Sequence, residues 1–308
     1  MHNTYTIIER GGSVGLVLEV KNLSYVFPNG VGIIGIDFQI DYNDIYYLYG
    51  SHNSGKSLIL QSILGIISPQ KGSIKIFENP DFLQEKRRIG YVPQSPYYID
   101  RMTITDMMNY FSLSFGVLEK NFADILNLNL KEKKPVRHLS SFIQRKLNLW
   151  IALLGNPDLV FIDDPFGGLD TQESEQLISI ISYLNKNNNI TFLLTGHNYE
   201  LASRIATKYG VLKNGRFLIE LTPEKLDSEC KRCIKIRTPQ LLSAIPLLEK
   251  EFPQYEVLED DLIRVFCPLS HSAKINTLLV SAGIEVSEIW IAGTMPQEYL
   301  LKLTEGGI

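Results

Sequence analysis

An eight-residue segment, residues 50–57, has the residue types and spacing of a loop that holds phosphate groups. It reads GSHNSGKS: Gly50, four variable positions, and then Gly55, Lys56 and Ser57. A glycine-rich backbone can curl its N–H groups around an anion, and a helix that follows directs its positive end at the same anion. The lysine supplies a point charge for the outer phosphates, and the serine hydroxyl is an oxygen ligand for Mg²⁺. We therefore predict that this loop binds the phosphates of a nucleotide.

The sequence on either side of this loop predicts the elements that such a loop joins. Residues 44–49 (DIYYLY) are typical of a buried strand, and the apolar residues at positions 58, 60, 63 and 64 have helical spacing. An ordinary glycine turn is the alternative, and the flanking patterns disfavour it. We therefore expect a strand, a phosphate-binding loop and a helix in direct succession.

Two carboxylates and a histidine follow other predicted strands. Asp163 and Asp164 come after the apolar run 159–162 (LVFI), which is typical of a strand buried in a parallel sheet. Ligands bind at the carboxyl ends of such strands, so we favour Mg²⁺ ligation here over two solvated turn residues. A further buried strand, residues 190–194, ends near His197. A histidine at a strand end is more often structural than catalytic, but this one follows the edge assigned to the phosphate loop and the carboxylates.

Composition and charge limit the classes of partner. The chain has 308 residues, 44% of them hydrophobic and 21% charged, with a formal net charge of −4. This charge offers no basic face, so we expect no nucleic acid partner. The longest apolar candidate for a membrane span, residues 147–162, is interrupted by asparagine, glycine, proline and aspartate. His2 and Glu9 lie in an N-terminus without a continuous apolar core, so we expect no signal peptide and a cytoplasmic protein.

Three cysteines are too few for a disulfide framework, which also favours a cytosolic protein. Cys230 and Cys233 have the spacing of a metal or redox pair, yet there is no second such pair and Cys267 stands apart. We interpret the pair as solvated linker cysteines, with a metal or redox role as the alternative.

Upstream of the phosphate loop, residues 16–27 and 31–40 have strand patterns joined by a turn, which predicts an antiparallel layer beside a parallel core. The rings of Tyr25 and Phe27 lie in the first of these strands, where an aromatic side chain can stack on a nucleotide base. Strand packing is the alternative, and the residues alone favour it. Helical patterns follow downstream at residues 103–130 and 139–154.

In chain order, these segments resemble the ATP-binding cassette ATPases, the motor subunits of ABC transporters. The resemblance covers residues 16 to about 226 and rests on the order GSHNSGKS, Gln94, LSSFIQRKL, LVFIDDP, GGLD and His197. It implies an α/β fold for residues 1–226: a P-loop (RecA-like) core with an antiparallel β subdomain and a helical subdomain at about residues 95–155. ATP and Mg²⁺ are the implied cofactors.

The resemblance assigns roles to individual residues by their position. Phe27 is the aromatic residue nearest the adenine position, with Tyr25 as the alternative. Gln94 is the Q-loop residue that touches Mg²⁺ and the attacking water, Asp163 is the Walker B ligand of Mg²⁺, and His197 is the switch histidine at the γ-phosphate. The Walker A contacts to nucleotide are Gly50, Ser51, Asn53, Ser54, Gly55, Lys56, Ser57 and Leu58, of which Ser57 also ligates Mg²⁺.

Two positions depart from the family's pattern. The signature Leu-Ser-Gly-Gly-Gln reads LSSFI here: Ser140 still offers a hydroxyl to the γ-phosphate of a partner's ATP, whereas Phe142 puts a bulky ring where glycines allow close approach. The position after Asp163 is normally the glutamate that polarises the attacking water, and here it is the shorter Asp164. Misplacing a catalytic group by that much costs on the order of a hundredfold in rate, so we predict slow hydrolysis. Asp170 matches the D-loop residue that completes the nucleotide site.

The resemblance also implies partners. Two cassettes close face to face on ATP, so we expect a second ATP-binding cassette, as a homo- or heterodimer, and a separate transmembrane permease at the inner face of the membrane. The expected function is export of a drug, an antimicrobial peptide or a similar substrate. A regulatory or structural subunit that binds ATP with little hydrolysis is one alternative, favoured by Asp164 and the altered signature. A soluble cassette that acts on nucleic acid or in cofactor assembly is another, disfavoured because tandem cassettes, coiled-coil insertions and a basic surface are absent.

A second domain is expected at residues 227–308, and it begins with a charged linker at residues 227–232. Its strand and helix patterns follow in the order βαββαβ, which predicts a small ferredoxin-like α+β unit with a closing helix at residues 296–304. This tail resembles the C-terminal extension of the drug- and bacteriocin-export branch of the family. It contains no catalytic constellation, and we expect an accessory or dimer-stabilising role, with a ligand sensor as the alternative.

Overall fold

The chain divides into two compact units. The division falls between Pro223 and Glu224. The computed structural model describes residues 15–81, 85–117, 122–230 and 232–305. His2 and Glu9, on which the expectation about a signal peptide rests, lie outside these residues.

The strands and helices are numbered in chain order along the described residues. The strands are β1 (Leu16–Val26), β2 (Gly32–Asp41), β3 (Ile45–Gly50), β4 (Lys71–Ile76), β5 (Ile89–Val92), β6 (Leu159–Asp163), β7 (Thr191–Gly196), β8 (Lys208–Lys213), β9 (Arg216–Leu221), β10 (Cys233–Arg237), β11 (Tyr255–Glu259), β12 (Leu262–Val265) and β13 (Glu288–Ala292). The α-helices are α1 (Lys56–Ile63), α2 (Ile104–Phe115), α3 (Ser141–Leu153), α4 (Thr171–Asn188), α5 (Tyr199–Ala202), α6 (Pro223–Cys230), α7 (Leu241–Glu251), α8 (Ser272–Ser281) and α9 (Pro296–Glu305). None of the helices in these ranges is long and apolar enough to cross a bilayer.

A six-stranded sheet forms the centre of the larger unit, with the strand order β5-β6-β7-β3-β8-β9. Neighbouring strands run parallel except β8 and β9, which are antiparallel. Every residue of β3, β6 and β7 is buried, as expected of parallel strands that are covered on both faces. The sheet confirms the α/β fold expected from the sequence.

A three-stranded antiparallel sheet, in the order β2-β1-β4, is the layer that the sequence predicted upstream of the phosphate loop. Its apolar side chains share one core with those of α1 and the parallel sheet, for example Leu18, Ile36, Leu48, Ile59 and Phe161. Burying such a side chain contributes about 1.5–3 kcal/mol to the free energy of folding. This core holds in place the strand ends that carry the functional side chains.

The helix predicted over residues 103–130 is shorter than expected. Thr103 and Asp106 form a capping box at the start of α2, as their spacing allows. The helix ends at Gly116, which has a left-handed backbone (φ 69°) and donates its N–H to the carbonyls of Ser112 and Leu113. Residues 122–127 form turns instead of a continued helix, so the prediction was wrong beyond Phe115.

The smaller unit has the ferredoxin-like order of elements that the sequence predicted. Its four strands are antiparallel in the order β11-β12-β10-β13. Helices α7 and α8 cover one face of this sheet, where Leu248 and Leu279 are buried in a core with Ile234, Ile263 and Val265. Residues 227–230 of the expected charged linker are helical, because α6 extends to Cys230.

The cysteine pair is buried, which contradicts its interpretation as solvated linker residues. Cys230 and Cys233 are 4% and 2% exposed, and Cys267 is half-buried. Burial raises the pKa of the Cys230 thiol to about 11, and the carboxylates of Asp227 and Glu229 add to the shift. Burial also raises the pKa of Cys233. Within the described ranges, no group of three or more His, Cys, Asp or Glu side chains is arranged to hold a metal ion.

We expect Cys230 and Cys233 to resist alkylation in the folded chain. The thiolate is the reactive form, so raising a thiol pKa to about 11 lowers the rate at pH 8 by about a hundredfold relative to the unfolded chain. Iodoacetamide labelling followed by peptide mass spectrometry, with and without guanidinium, measures this, and Cys267 is the internal comparison. The rate at Cys230 should keep rising with pH above pH 9; equal native and unfolded rates would contradict the buried placement.

Candidate active site

The topology brings the predicted functional segments to one edge of the parallel sheet. Strands β6, β7 and β3 are neighbours, and their carboxyl ends lead into the acidic pair, the histidine segment and the phosphate loop respectively. The register pairs Asp163 with Thr195 and Tyr49 with Gly196, so the three strand ends lie side by side. Segments far apart in the chain therefore form one site.

Lys56 is held at the phosphate loop by the loop's own oxygens. Its Nζ donates to the carbonyl oxygens of Gly50 (2.8 Å) and Ser51 (2.7 Å) and to Ser54 Oγ (3.1 Å). Burial lowers the pKa of Lys56, and the carboxylates of Asp163 and Asp164 oppose that shift. The ammonium group is thus positioned beside the loop, where an anion can replace the carbonyl contacts.

The first turn of α1 faces the cleft without a side-chain cap. Its N-cap, Gly55, has a left-handed backbone (φ 104°) and makes no side-chain hydrogen bond. A Cβ atom there would lie 2.7 Å from Ile33 Cγ2, so glycine is required both by conformation and by space. The first N–H groups of a helix have no intrahelical acceptor, and they are directed at a phosphate in sites of this kind.

The Asp163 carboxylate connects the phosphate loop to two strands. Its Oδ2 accepts a hydrogen bond from Ser57 Oγ at 2.9 Å, and its Oδ1 accepts one from Thr195 Oγ1 at 2.5 Å. The side chain is 7% exposed and lines the cleft. Mg²⁺ binds oxygen ligands, typically one or two from the protein together with phosphate and water. An adjacent hydroxyl and carboxylate are such a donor set, so these residues fit a magnesium site.

Asp164 has an unusual backbone conformation that aims its side chain at Gln94. Its φ is 52°, in the left-handed region, and its N–H donates to the carbonyl and Oγ1 of Thr195. Gln94 Nε2 donates to Asp164 Oδ2 at 3.3 Å. A Cβ atom on Gly167 would lie 2.3 Å from the same oxygen, so only glycine leaves room for this carboxylate. The two residues assigned to orienting water are therefore in contact.

His197 lies beside a second histidine that the sequence reasoning did not single out. The rings of His52, in the phosphate loop, and His197 have centroids 4.5 Å apart. Tyr47 lies behind this segment, and its hydroxyl donates to the Asn198 carbonyl at 3.3 Å. Burial raises the pKa of Tyr47, and the Asp164 carboxylate adds to the shift, so the phenol stays protonated.

These groups line one cleft of about 350 Å³. Phe27 forms one wall and is partly exposed, as a ring that stacks on a base must be, and its edge contacts Tyr25 with ring centroids 5.0 Å apart. Gly50 and Ser51 contribute the carbonyls that hold Lys56. The other sequence-predicted residues that line the cleft are Asn53, Ser54, Gly55, Lys56, Ser57, Leu58, Gln94, Asp163, Asp164 and His197.

Ser140 and Asp170 do not line this cleft. Each begins a helix: Ser140 Oγ accepts from the Ile143 N–H at the start of α3, and Asp170 forms a capping box with Glu173 at the start of α4. Both side chains are exposed at their helix ends. Within one chain, they are available only to a group that approaches from outside.

The ring of Phe142 is not where the sequence suggested. It is 6% exposed, inside the helical segment, and Lys146 Nζ lies 4.8 Å from its centroid. The expectation that this ring blocks the approach of a phosphate to α3 was therefore wrong, because the position faces the interior. Ser141 is the exposed residue beside the cap.

Several residues that support the site were missed by sequence reasoning. Thr195 holds both Asp163 and Asp164, and Tyr47 supports the histidine segment. Arg145, on α3, donates to the carbonyls of Asp164, Pro165 and Gly167. These contacts join residues distant in sequence, and no spacing pattern marks them; only the strand-end position of Thr195 was a usable signal.

Comparison with known proteins identifies a family. The family model described as ABC transporter matches residues 33–167. The bacitracin transport ATP-binding protein BcrA of Bacillus licheniformis is 27% identical over 300 residues, which cover 94% of this chain and 98% of that protein. The Nod factor export ATP-binding protein I of Sinorhizobium fredii is 30% identical, over 71% of this chain and 66% of that protein.

Solved structures have the same fold. The ATP-binding cassette MJ0796, solved as a dimer in a post-hydrolysis state with ADP and Pi, has a TM-score of 0.60 and is 20% identical, over 67% of this chain and 98% of that one. The likeness covers about two thirds of this chain and concerns the fold alone. The family match over residues 33–167 and these relatives show that this chain carries the ATP-binding domain of the ABC transporter family.

Proposed function

We propose that this protein hydrolyses ATP to power the export of a drug, an antimicrobial peptide or a similar substrate through a separate transmembrane permease. The observation that carries the proposal is the 2.9 Å hydrogen bond between Ser57 and Asp163, which joins the phosphate loop to the acidic strand end. Similarity to the bacitracin transport protein extends over 94% of this chain and so includes most of the C-terminal unit, which favours an exporter.

ATP binding uses the cleft from one end to the other. Phe27 stacks on the adenine, and the loop backbone with the first turn of α1 surrounds the phosphates. Lys56 exchanges its contacts with the Gly50 and Ser51 carbonyls for phosphate oxygens. The exchange replaces neutral acceptors by charged ones, and such charge-assisted hydrogen bonds are stronger.

Ser57 and Asp163 are the residues that would hold Mg²⁺, and Gln94 lines the same cleft. When bound, the metal neutralises charge on the β- and γ-phosphate oxygens. Thr195 keeps one carboxylate oxygen of Asp163 occupied by a hydrogen bond, which leaves the other oxygen facing Ser57. The protein thus presents one hydroxyl and one carboxylate oxygen at the same point.

Hydrolysis places a water molecule between Asp164 and the γ-phosphate. Its oxygen bonds to phosphorus while the bond to the bridging oxygen of ADP breaks, and the Asp164 carboxylate accepts a proton from it. Gln94, 3.3 Å from that carboxylate, orients the water. His197 donates a hydrogen bond to the γ-phosphate from the neighbouring strand end. We propose slow turnover, because the aspartate side chain is one methylene shorter than glutamate.

Two kinds of partner complete the motor. A second cassette, from the same or a different chain, receives Ser140 and Asp170 at its nucleotide, since both lie at exposed helix starts outside this chain's own cleft.

The permease binds an exposed aromatic surface on the helical subdomain, and the protein then acts at the cytoplasmic face of the membrane. That surface consists of Tyr97, Tyr98, Tyr110, Leu113 and Phe115, each at least 41% exposed. We assign residues 227–308 an accessory or dimer-stabilising role.

The second candidate function is a regulatory cassette that binds ATP and hardly hydrolyses it. The observation that favours it is Asp164 itself, with its shorter side chain and left-handed backbone. In that case a different cassette supplies the catalytic glutamate. Turnover by the complex before and after Asp164→Asn separates the two functions, because only the first one loses activity at this site.

We expect Lys56→Ala to weaken ATP binding by at least about tenfold, since the phosphates lose a charge-assisted donor. Titration of the full chain with a fluorescent ATP analogue measures the Kd. Lys208→Ala is the matched control, because Lys208 pairs with Asp41 and Asp44 at the opposite edge of the sheet. Equal affinity in both variants and the unmodified chain would exclude the proposed phosphate site.

Asp164→Asn should lower the hydrolysis rate by at least about a hundredfold, to a residual rate that single-turnover measurement still detects, and leave ATP affinity within about twofold, because the carboxylate acts on the attacking water and not on the bound phosphates. Asp164→Glu should raise kcat by up to about a hundredfold, since the longer side chain reaches the water. Thermal unfolding serves as the control for strain at a left-handed residue. A fast ATPase that is indifferent to Asp164→Glu contradicts slow turnover at this site.

Replacing Tyr97 and Tyr98 by alanine should lower recovery of the permease with the tagged chain from detergent-solubilised membranes, since truncating aromatic anchors costs roughly 1–3 kcal/mol of binding. Quantitative mass spectrometry of the membrane protein recovered with the unmodified chain measures the loss. Leu242→Ala is the control, because Leu242 is 87% exposed in the other unit. Recovery unaffected by the tyrosine changes contradicts the assigned docking surface.

A further inference from the structure

Arg145 is a buried cation whose hydrogen bonds within the described part of the chain all go to the segment that carries Asp164. The residue is 5% exposed, on the second turn of α3. Its Nη1 donates to the carbonyl of Asp164 at 2.5 Å and also to that of Pro165, and its Nη2 donates to the carbonyl of Gly167 at 3.1 Å. One rigid guanidinium group thereby holds three carbonyls of a four-residue turn.

This arrangement is costly as a structural contact alone. None of the ion pairs within 4 Å among the described residues includes Arg145, and its Nε is buried without a hydrogen-bond partner. Removing a guanidinium from water is unfavourable unless its charge is paired, and an apolar side chain usually stabilises such a position better. The contacts of Arg145 therefore point to a role other than stability.

The turn that Arg145 holds is one that needs support. Asp164 has a φ of 52° and precedes a proline, whereas residues before proline prefer extended conformations. Short polar residues such as aspartate tolerate the left-handed region better than most other residues. The conformation directs the carboxylate over Gly167 toward Gln94. Holding the carbonyls of Asp164, Pro165 and Gly167 keeps this direction.

The same helix also holds the segment that follows Gln94. Asn148, one turn after Arg145 on α3, accepts the Tyr97 N–H at 2.9 Å and donates its Nδ2 to the Tyr97 carbonyl at 2.9 Å. Gln94 and Asp164 meet at 3.3 Å across the cleft. Helix α3 thus contacts the backbone beside both members of this pair, through two buried polar side chains.

We propose that Arg145 is a positioning residue for hydrolysis: it sets where the short Asp164 carboxylate lies relative to Gln94 and the attacking water. The inference rests on the proposed function of Asp164.

The test compares Arg145→Gln with Lys146→Gln in the full chain. Lys146 is the matched control: it is the next residue, equally buried, and donates to the Asn127 carbonyl away from the cleft. Single-turnover release of phosphate from radiolabelled ATP gives the rate, and a fluorescent analogue gives the Kd. We expect Arg145→Gln to lower the rate by at least about tenfold with KM and Kd within about twofold, and Lys146→Gln to change neither beyond that range.

Two further variants separate positioning from folding. Arg145→Lys keeps the charge but cannot reach three carbonyls at once, so it should retain an intermediate rate even if the glutamine variant unfolds. In an Asp164→Asn background, Arg145→Gln should have no additional effect, since it acts through the missing carboxylate. The proposal is overturned if Arg145→Gln lowers the rate equally in the unmodified chain and in the Asp164→Asn background. It is also overturned if Arg145→Gln and Arg145→Lys lower the rate equally.

The outcomes also distinguish this inference from the function on which it rests. Failure of the unmodified chain to bind ATP removes both. Binding and turnover that depend on Asp164, together with an Arg145→Gln variant that behaves like Lys146→Gln, remove the role of Arg145 alone.

Discussion

The hydrogen bonds of the Asp163 carboxylate are the constraint on which the site depends. One oxygen is bonded to Ser57 at the start of α1, and the other to Thr195 at the end of β7. A buried carboxylate is unfavourable without hydrogen-bond partners, so the ends of β6 and β7 and the start of α1 are held at fixed distances from one another. The phosphate loop, the acidic strand end and the histidine segment are therefore held together as one structure.

The polar side chains that line the cleft contact other groups of the protein. Lys56 is bonded to loop oxygens, Gln94 to Asp164, and the His52 ring lies against His197. In the proposed function, a nucleotide exchanges these contacts for its own, so that little rearrangement of buried charge is needed on binding. Helix α3 lies outside the cleft but touches the Asp164 segment through Arg145, which links the helical subdomain to the chemistry.

Much of the site was predictable, because its chemistry is encoded in short spacings. The phosphate loop follows from its glycines and Lys56, and the acidic strand end from an apolar run that stops at Asp163. Three expectations failed where three-dimensional packing decides. The helix predicted to continue past Phe115 ends at a left-handed glycine, the CxxC pair is buried, and Phe142 faces the interior. A local sequence pattern does not determine which face of a helix is buried or which neighbours cover a side chain.

Sequence alone determined the phosphate loop and the acidic pair, since each depends on residues within about a dozen positions of one another. The order of such segments over residues 16 to about 226 determined the α/β class and the likeness to ATP-binding cassettes. Tertiary structure alone decided which strands are neighbours, and hence that Thr195 bonds Asp163 and that Arg145 supports Asp164. Those contacts join residues 19 to 32 positions apart. Strand order and helix packing, which arise from burying apolar surface over the whole chain, bring them together.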